Sequence, residues 1–109
     1  MPFVDTREIA PFEKRPGWRG RIFHTIGMTF GWWDFDKGAE IHEHHHEQEE
    51  VWQILEGELE ITVDGLTRLV TPGIVGVVPP NAPHRVVART SGRAIAIDNP
   101  SRPGFGESS

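Results

Sequence analysis

The sequence predicts an all-β domain, a sandwich or barrel of about eight short strands. Three observations carry that expectation. Twelve glycines and nine prolines break the 109 residues into short apolar segments, the punctuation that tight turns between strands require. The segment Glu58 to Val63, ELEITV, alternates Leu59, Ile61 and Val63 with Glu58, Glu60 and Thr62, so one face is buried and the other wet. No segment keeps a helical period beyond about two turns.

Taken in order, residues 1–20 mix Pro2, Pro11 and Pro16 with charges. They are expected to form an arm lying across the barrel or a partner subunit, with Phe3, Phe12 and Trp18 as anchors. The barrel is expected over residues 21–100, beginning with strands near Arg21 to Ile26 and Met28 to Phe35. In the second of these, Met28, Phe30 and Trp32 share one face while Trp33 and Phe35 share the other, and alternation leaves open which is inside. Glu50 to Leu55 and ELEITV follow. Asp64-Gly65 is a favoured two-residue hairpin turn, because both positions tolerate positive φ, and it returns the chain as a strand over Leu66 to Thr71. Ile74 to Val78, Arg85 to Ala88 and Ala94 to Asp98 complete the set. Residues 101–109, SRPGFGESS, form a tail expected to fray after Phe105.

Length and composition bound the function. A chain of 109 residues suits a single domain with one core. No run approaches the ~20 apolar residues of a membrane span. The start, MPFVDTREIAPFEKRPGW, lacks the basic-then-apolar order of a secretory signal, so the expected compartment is the cytoplasm. With no cysteine, disulfides and thiolate chemistry are unavailable. A net charge of -5 works against nucleic acid, which favours a basic partner surface. The expected partner is a small molecule or a metal.

The chemistry concentrates in HEHHHEQEE, His42 to Glu50, which holds four of the six histidines. On a strand, alternate residues share a face, so His42, His44 and His46 point one way and His45 the other. Two imidazoles of one face can converge on an ion, with Gln48, Glu49 or Glu50 completing the set. Spacing alone permits His42, His44 and Gln48, or His44, His46 and Glu50.

The stretch GAEIHEHHHEQEEVWQILEG resembles the first motif of the cupins, with Gly38, His44, His46, Glu50 and Gly57 at the motif positions. GIVGVVPPNAPHRVVA resembles the second, with Gly73, Pro79 and His84 in place. Asn81 stands where the motif has glycine and Ala88 where it has asparagine. Asparagine tolerates the left-handed turn, whereas Ala88 removes a polar lining position. The resemblance covers roughly Phe30 to Asp98. It implies a cupin jelly-roll β-barrel, a double-stranded β-helix, in which His44, His46, Glu50 and His84 hold one divalent transition metal ion. Three imidazoles and one carboxylate suit Fe(II), Mn(II), Ni(II), Cu(II) or Zn(II). His42 is then expected at the rim or around the ligands, and His45 outward.

If Glu50 points inward, parity carries Trp52 and Ile54 with it, and His84 carries Val86 and Ala88. Trp52 is the candidate for the substrate pocket. Asp98 and Arg102, in AIDNPSRPGF, are the candidate catalytic residues, with His24 a weaker one. That ending resembles small cupins that ketonise unsaturated uronates, with Asp98 and Arg102 closer together than in those proteins. With neither tyrosine nor cysteine present, proton transfer falls to a carboxylate, a histidine or water at the ion.

The expected function is therefore a metal-dependent enzyme of isomerase or dioxygenase type, acting on a small organic or sugar acid by isomerisation, tautomerisation or oxygenation. The alternative is a non-catalytic metal or small-ligand binding module, a sensor or store. A cupin-type regulator would need a separate partner, since no helix-turn-helix pattern accompanies the barrel. Outward apolar positions such as Val51 and Leu55 predict a homodimer.

Overall fold

A computed structural model describes residues 2–105, and its strands form two antiparallel sheets facing one another. In chain order the strands are Trp18–His24 (β1), Thr29–Phe35 (β2), Glu40–His44 (β3), Glu49–Glu56 (β4), Leu59–Val63 (β5), Leu66–Val70 (β6), Val75–Val78 (β7), His84–Ala88 (β8) and Gly92–Asn99 (β9). One sheet runs β1-β2-β9-β4-β7 and the other β3-β8-β5-β6. After β2 the chain changes sheet at every connection except the β5–β6 hairpin. This repeated crossing is the jelly-roll arrangement, and it makes both sheets contribute alternate side chains to one interior.

The hairpin forms as local chemistry dictates. Val63 pairs with Leu66, and the intervening Asp64 and Gly65 take φ of 48° and 80°, the left-handed values of a type I′ turn. Alternation likewise holds along β4, where Glu50, Trp52 and Ile54 are buried, and along β8, where His84, Val86 and Ala88 are buried.

In β2 the two faces are distinguished. Thr29, Gly31, Trp33 and Phe35 turn inward, while Phe30 and Trp32 lie on the outer face and Met28 precedes the strand, exposed. Glycines make room for Trp33: a Cβ on Gly20 or on Gly31 would come within 2.6 Å of its indole. Trp18 packs edge-on to Trp33 and to Trp52 and lies 5.5 Å from the Phe35 ring. Burying each such ring contributes about 1.5–3 kcal/mol.

Two details differ from the sequence expectation. The first strand begins at Trp18, so this tryptophan belongs to the barrel core, whereas Phe3 is 87% exposed and does not hold the arm to the barrel. Phe12 does hold the arm. It pairs with Gly20 through two backbone hydrogen bonds of 2.9 Å, and its ring packs against Trp33 and Phe105. The histidine run, moreover, is only partly strand. β3 ends at His44 and shifts register against β8 between Ile41 and His44. Such an irregularity breaks simple alternation, so His42 is exposed while His44 and His46 are half-buried. The expected fraying beyond Phe105 lies outside the described residues. Among the described residues no helix is long and apolar enough to cross a membrane.

Candidate metal centre

Cross-strand pairing brings the site together. In the smaller sheet His44, ending β3, stands opposite His84, opening β8. In the larger sheet Glu50 on β4 stands opposite Asp98 on β9. His46 sits in the connection between β3 and β4, which passes from one sheet to the other. Asn81 fixes that connection. Its φ of 63° is left-handed, and its backbone N–H donates to the His46 carbonyl at 2.8 Å. Asparagine thus adopts the conformation expected at the position where the motif carries glycine.

All three imidazoles are oriented from behind. Nδ1 of His44, His46 and His84 lies 3.0, 3.1 and 2.8 Å from the carbonyls of His42, Gln48 and Ala82. Each Nδ1–H therefore donates to a carbonyl, which leaves the Nε2 lone pair free for an ion. The three residues bring ligand nitrogens within 4.8 Å of one another. His46 Nε2 and His84 Nε2 are buried with no hydrogen-bond partner among the described residues. Buried polar atoms rarely stay unsatisfied, so the arrangement fits a metal ion.

Glu50 lies beside this cluster. Its Oε1 is 3.4 Å from His46 Nε2 and its Oε2 is 3.3 Å from His84 Nε2. The Trp52 indole N–H donates to Oε2 at 2.7 Å. Glu50 also groups with His46 and Asp98 as a second set of potential ligand atoms within 4.8 Å. Burial pushes the Glu50 carboxyl up, but the imidazoles of His46 and His84 and the Trp52 indole outweigh it and hold it well below the usual carboxylate range. Glu50 is thus the charged member of the carboxyl pair. Asp98 is pushed the other way, up to about 7, by burial and by the neighbouring Glu50 charge, against the pull of Arg102. Burial also lowers His44 to about 4, with the His84 and Arg15 charges adding to the effect. At neutral pH His44 therefore presents a neutral imidazole.

His44, His84, Glu50 and Asp98 open on a cavity of about 210 Å³. Trp52, Trp18 and Trp33 supply apolar wall, while Asp98 and Arg102 supply polar groups. Arg102 Nη1 lies 3.5 Å from Asp98 Oδ2, its guanidinium covers the Phe105 ring at 4.1 Å, and its backbone N–H donates to Thr29 Oγ1 at 2.7 Å. The structure thus gathers His44, His84, Glu50, Trp52, Asp98 and Arg102 around one space, while His46 belongs to the ligand cluster without lining that space. It does not gather His42 or His45, both exposed, nor His24, whose Nδ1 meets Thr29 Oγ1 at 2.7 Å outside the cavity lining. Gln48 turns to the Ser101 carbonyl at 3.4 Å, tying the histidine loop to the C-terminal segment. Ala88 is buried and does not line the cavity. Sequence reasoning missed Arg15 and Thr29 as lining residues. For Arg15 the only local signal is the turn sequence RPGW, which says where the backbone bends but not what the side chain faces.

Two crossed sheets around a pocket with three converging imidazoles define a jelly-roll barrel with a site suited to a metal ion. The model of the cupin domain family matches residues 31–98, and the chain belongs to that family. An RmlC-like cupin from Shewanella frigidimarina has a similar structure, with a TM-score of 0.89, 28% identity and 96% of each chain covered. KdgF from Halomonas sp. superimposes with a TM-score of 0.89 at 26% identity, over 96% of this chain and 98% of that one. Ectoine synthase from P. lautus, at 24% identity and a TM-score of 0.82 over 95% and 81% of the two chains, shares the fold. No curated protein sequence matches the chain.

Proposed function

We propose that this cupin is a metal-dependent enzyme acting on a small organic or sugar acid, by isomerisation, tautomerisation or oxygenation. His44, His46, His84 and Glu50 are assigned to one divalent transition metal ion, and Asp98 and Arg102 to the substrate. The observation that carries this reading is a juxtaposition. The unpartnered imidazole nitrogens of His46 and His84 converge beside a buried carboxyl, Asp98, whose Oδ1 also has no hydrogen-bond partner among the described residues, and His44, His84, Glu50 and Asp98 border one cavity. The ion would supply Lewis acidity, or redox chemistry if it is iron, manganese or copper, for charge developing on a substrate oxygen.

The protein's own groups do the rest. Asp98, held near neutrality, is poised to take or give a proton at the substrate. Arg102 is anchored through its backbone to Thr29 and spread on Phe105, so its guanidinium is oriented before substrate arrives. Trp52 walls the pocket and restrains Glu50 through its indole N–H. The cavity suits a small ligand, being below the range of about 300–1,000 Å³ usual for drug-sized ones.

The test is metal analysis of protein purified without added metal, followed by a screen of keto acids and unsaturated uronates with oxygen uptake monitored. Unsaturated uronates come first because of the resemblance at Asp98 and Arg102. Turnover should occur with at least one acid and vanish in His46→Ala. Binding of several acids with conversion of none would replace the enzyme by a binding module.

The proposed assembly is a homodimer. On the outward face of the larger sheet, Phe23, Phe30, Ile97, Val51 and Val77 are paired in one row across all its strands. Val77 and Val75 are each 53% exposed and Leu55 is 39% exposed. A continuous apolar row of this kind is best covered by a second copy. Light scattering should report twice the chain mass, and Val77→Glu should shift it to the monomer. A monomeric wild-type protein would rule the dimer out.

A further inference from the structure

The cavity contains a guanidinium that neither the fold nor the proposed chemistry employs. Arg15 lines it together with His44, Glu50 and Asp98, and Arg15 Nη1 is buried with no hydrogen-bond partner among the described residues. By contrast Arg19 pairs with Asp36, Arg21 and Arg93 with Asp34, and Arg89 with Glu60. Among the described residues Arg15 has no such carboxylate. The charged groups that act on it are Arg102, which repels it, and Glu50, which attracts it. Burial lowers its pKa, with Arg102 adding to that, but a guanidinium stays protonated in proteins. A partly buried cation repelled by a second cation is favoured by an anion placed between them.

The backbone beneath Arg15 is built to hold this position. Arg15, Pro16, Gly17 and Trp18 form a turn in which the Trp18 N–H donates to the Arg15 carbonyl at 3.1 Å. Proline second and Gly17 third, with φ of 84°, are the pattern of a type II turn. A Cβ on Gly17 would lie 2.6 Å from the Ala39 Cβ, so the turn sits hard against the barrel. The Gly17 carbonyl accepts from the Asp36 N–H at 3.0 Å, and its N–H donates to Glu13 Oε2 at 3.0 Å. Trp18, 1% exposed, completes the anchorage. The chain therefore fixes a turn without using the arginine side chain, which is left free for the cavity.

We propose that Arg15 is a specificity-determining residue that receives the carboxylate of the acid bound in this cavity. The planar fork of a guanidinium matches a carboxylate with two parallel hydrogen bonds, and in a desolvated setting such pairs are strong. Arg15 lies on the N-terminal arm and Arg102 beyond β9, so the ligand's charged end would lie between the chain's two terminal segments, while the rest of it reaches toward His44 and Asp98. The inference rests on the proposed function for the ligand's being a small acid, but it is tested by binding rather than turnover.

Trp18, Trp33 and Trp52 line the cavity, so intrinsic tryptophan fluorescence reports occupancy. The probes are glucuronate and salicylate, each against its neutral amide, titrated into the full chain with its metal. Wild-type protein should bind at least one acid about tenfold more tightly than the amide, a difference of about 1.4 kcal/mol. Arg15→Met, which keeps the aliphatic stem, should reduce that ratio to about threefold or less and leave amide binding unchanged. Arg15→Lys, which keeps charge but loses the fork, should fall between them. The proposal is overturned if wild type prefers neither acid, if Arg15→Met keeps the full preference, or if only Arg102→Met removes it. Failure of the enzyme reading looks different: absence of metal or of turnover, with the acid preference still dependent on Arg15.

Discussion

Replacing His84 with alanine is expected to abolish the stabilisation that a divalent ion gives this protein. His84 is 1% exposed, its Nδ1 is fixed on the Ala82 carbonyl, and its Nε2 faces His44, His46 and Glu50. An ion bound only by the folded state adds about 2.7 kcal/mol of stability when present at a hundredfold excess over its Kd. In a domain of this size that is on the order of 10–20 °C in Tm. His84→Ala should show a gain of no more than about 3 °C in the same titration. His45→Ala is the matched control, because His45 belongs to the same run but is exposed, and it should respond to metal as wild type does. Thermal unfolding with and without nickel, cobalt, manganese, zinc and ferrous iron, together with metal content, decides the matter. Equal metal affinity in His84→Ala and wild type would sink the assignment, as would an equal loss in His45→Ala.

Asp98→Asn is expected to lower kcat by about 10²–10⁴-fold, the range for a positioned general acid or base, while metal content and folding are unchanged. Asparagine has nearly the same shape, so the contact of Arg102 with this position survives, but it cannot carry a proton. The expectation rests on geometry. Asp98 is 3% exposed, stands opposite Glu50 across the β4–β9 pair, and keeps one carboxyl oxygen without a partner at the cavity wall. Steady-state kinetics on whichever acid the screen identifies, with metal content measured alongside, provide the check. A kcat within about threefold of wild type would move proton transfer elsewhere. A rise in KM with kcat intact would make Asp98 a binding group.

Strands with strong local signals are legible in the amino-acid sequence alone. ELEITV carries its own alternation and Asp64-Gly65 its own turn, so β5 and β6 follow from local preference. β3 lacks any such signal, because EIHEH contains one apolar residue and no hydrophobic alternation. It exists because β8 presents an edge for it to pair with. The inward face of β2 is similarly undetermined by alternation. Both faces carry a tryptophan and a phenylalanine, and the choice depends on glycines at 20 and 31 leaving space for the Trp33 indole. The motif resemblance points to His44, His46, Glu50 and His84 together. Nothing in strand periodicity separates that set from His42, His44 and Gln48.

By itself the sequence determined an all-β domain, sandwich or barrel, its principal hairpin, and which stretches carry imidazoles and carboxylates. These depend on alternation, turn propensity and residue type, all of which act over a few neighbouring positions. The tertiary structure decided which of those groups face one another. The pairing of His44 with His84 and of Glu50 with Asp98, and the arrival of Arg15 at the same cavity, depend on the register of strands distant in sequence and on the anchoring of an arm. Such contacts are set by how the two sheets close on a shared core, which no short window of sequence records.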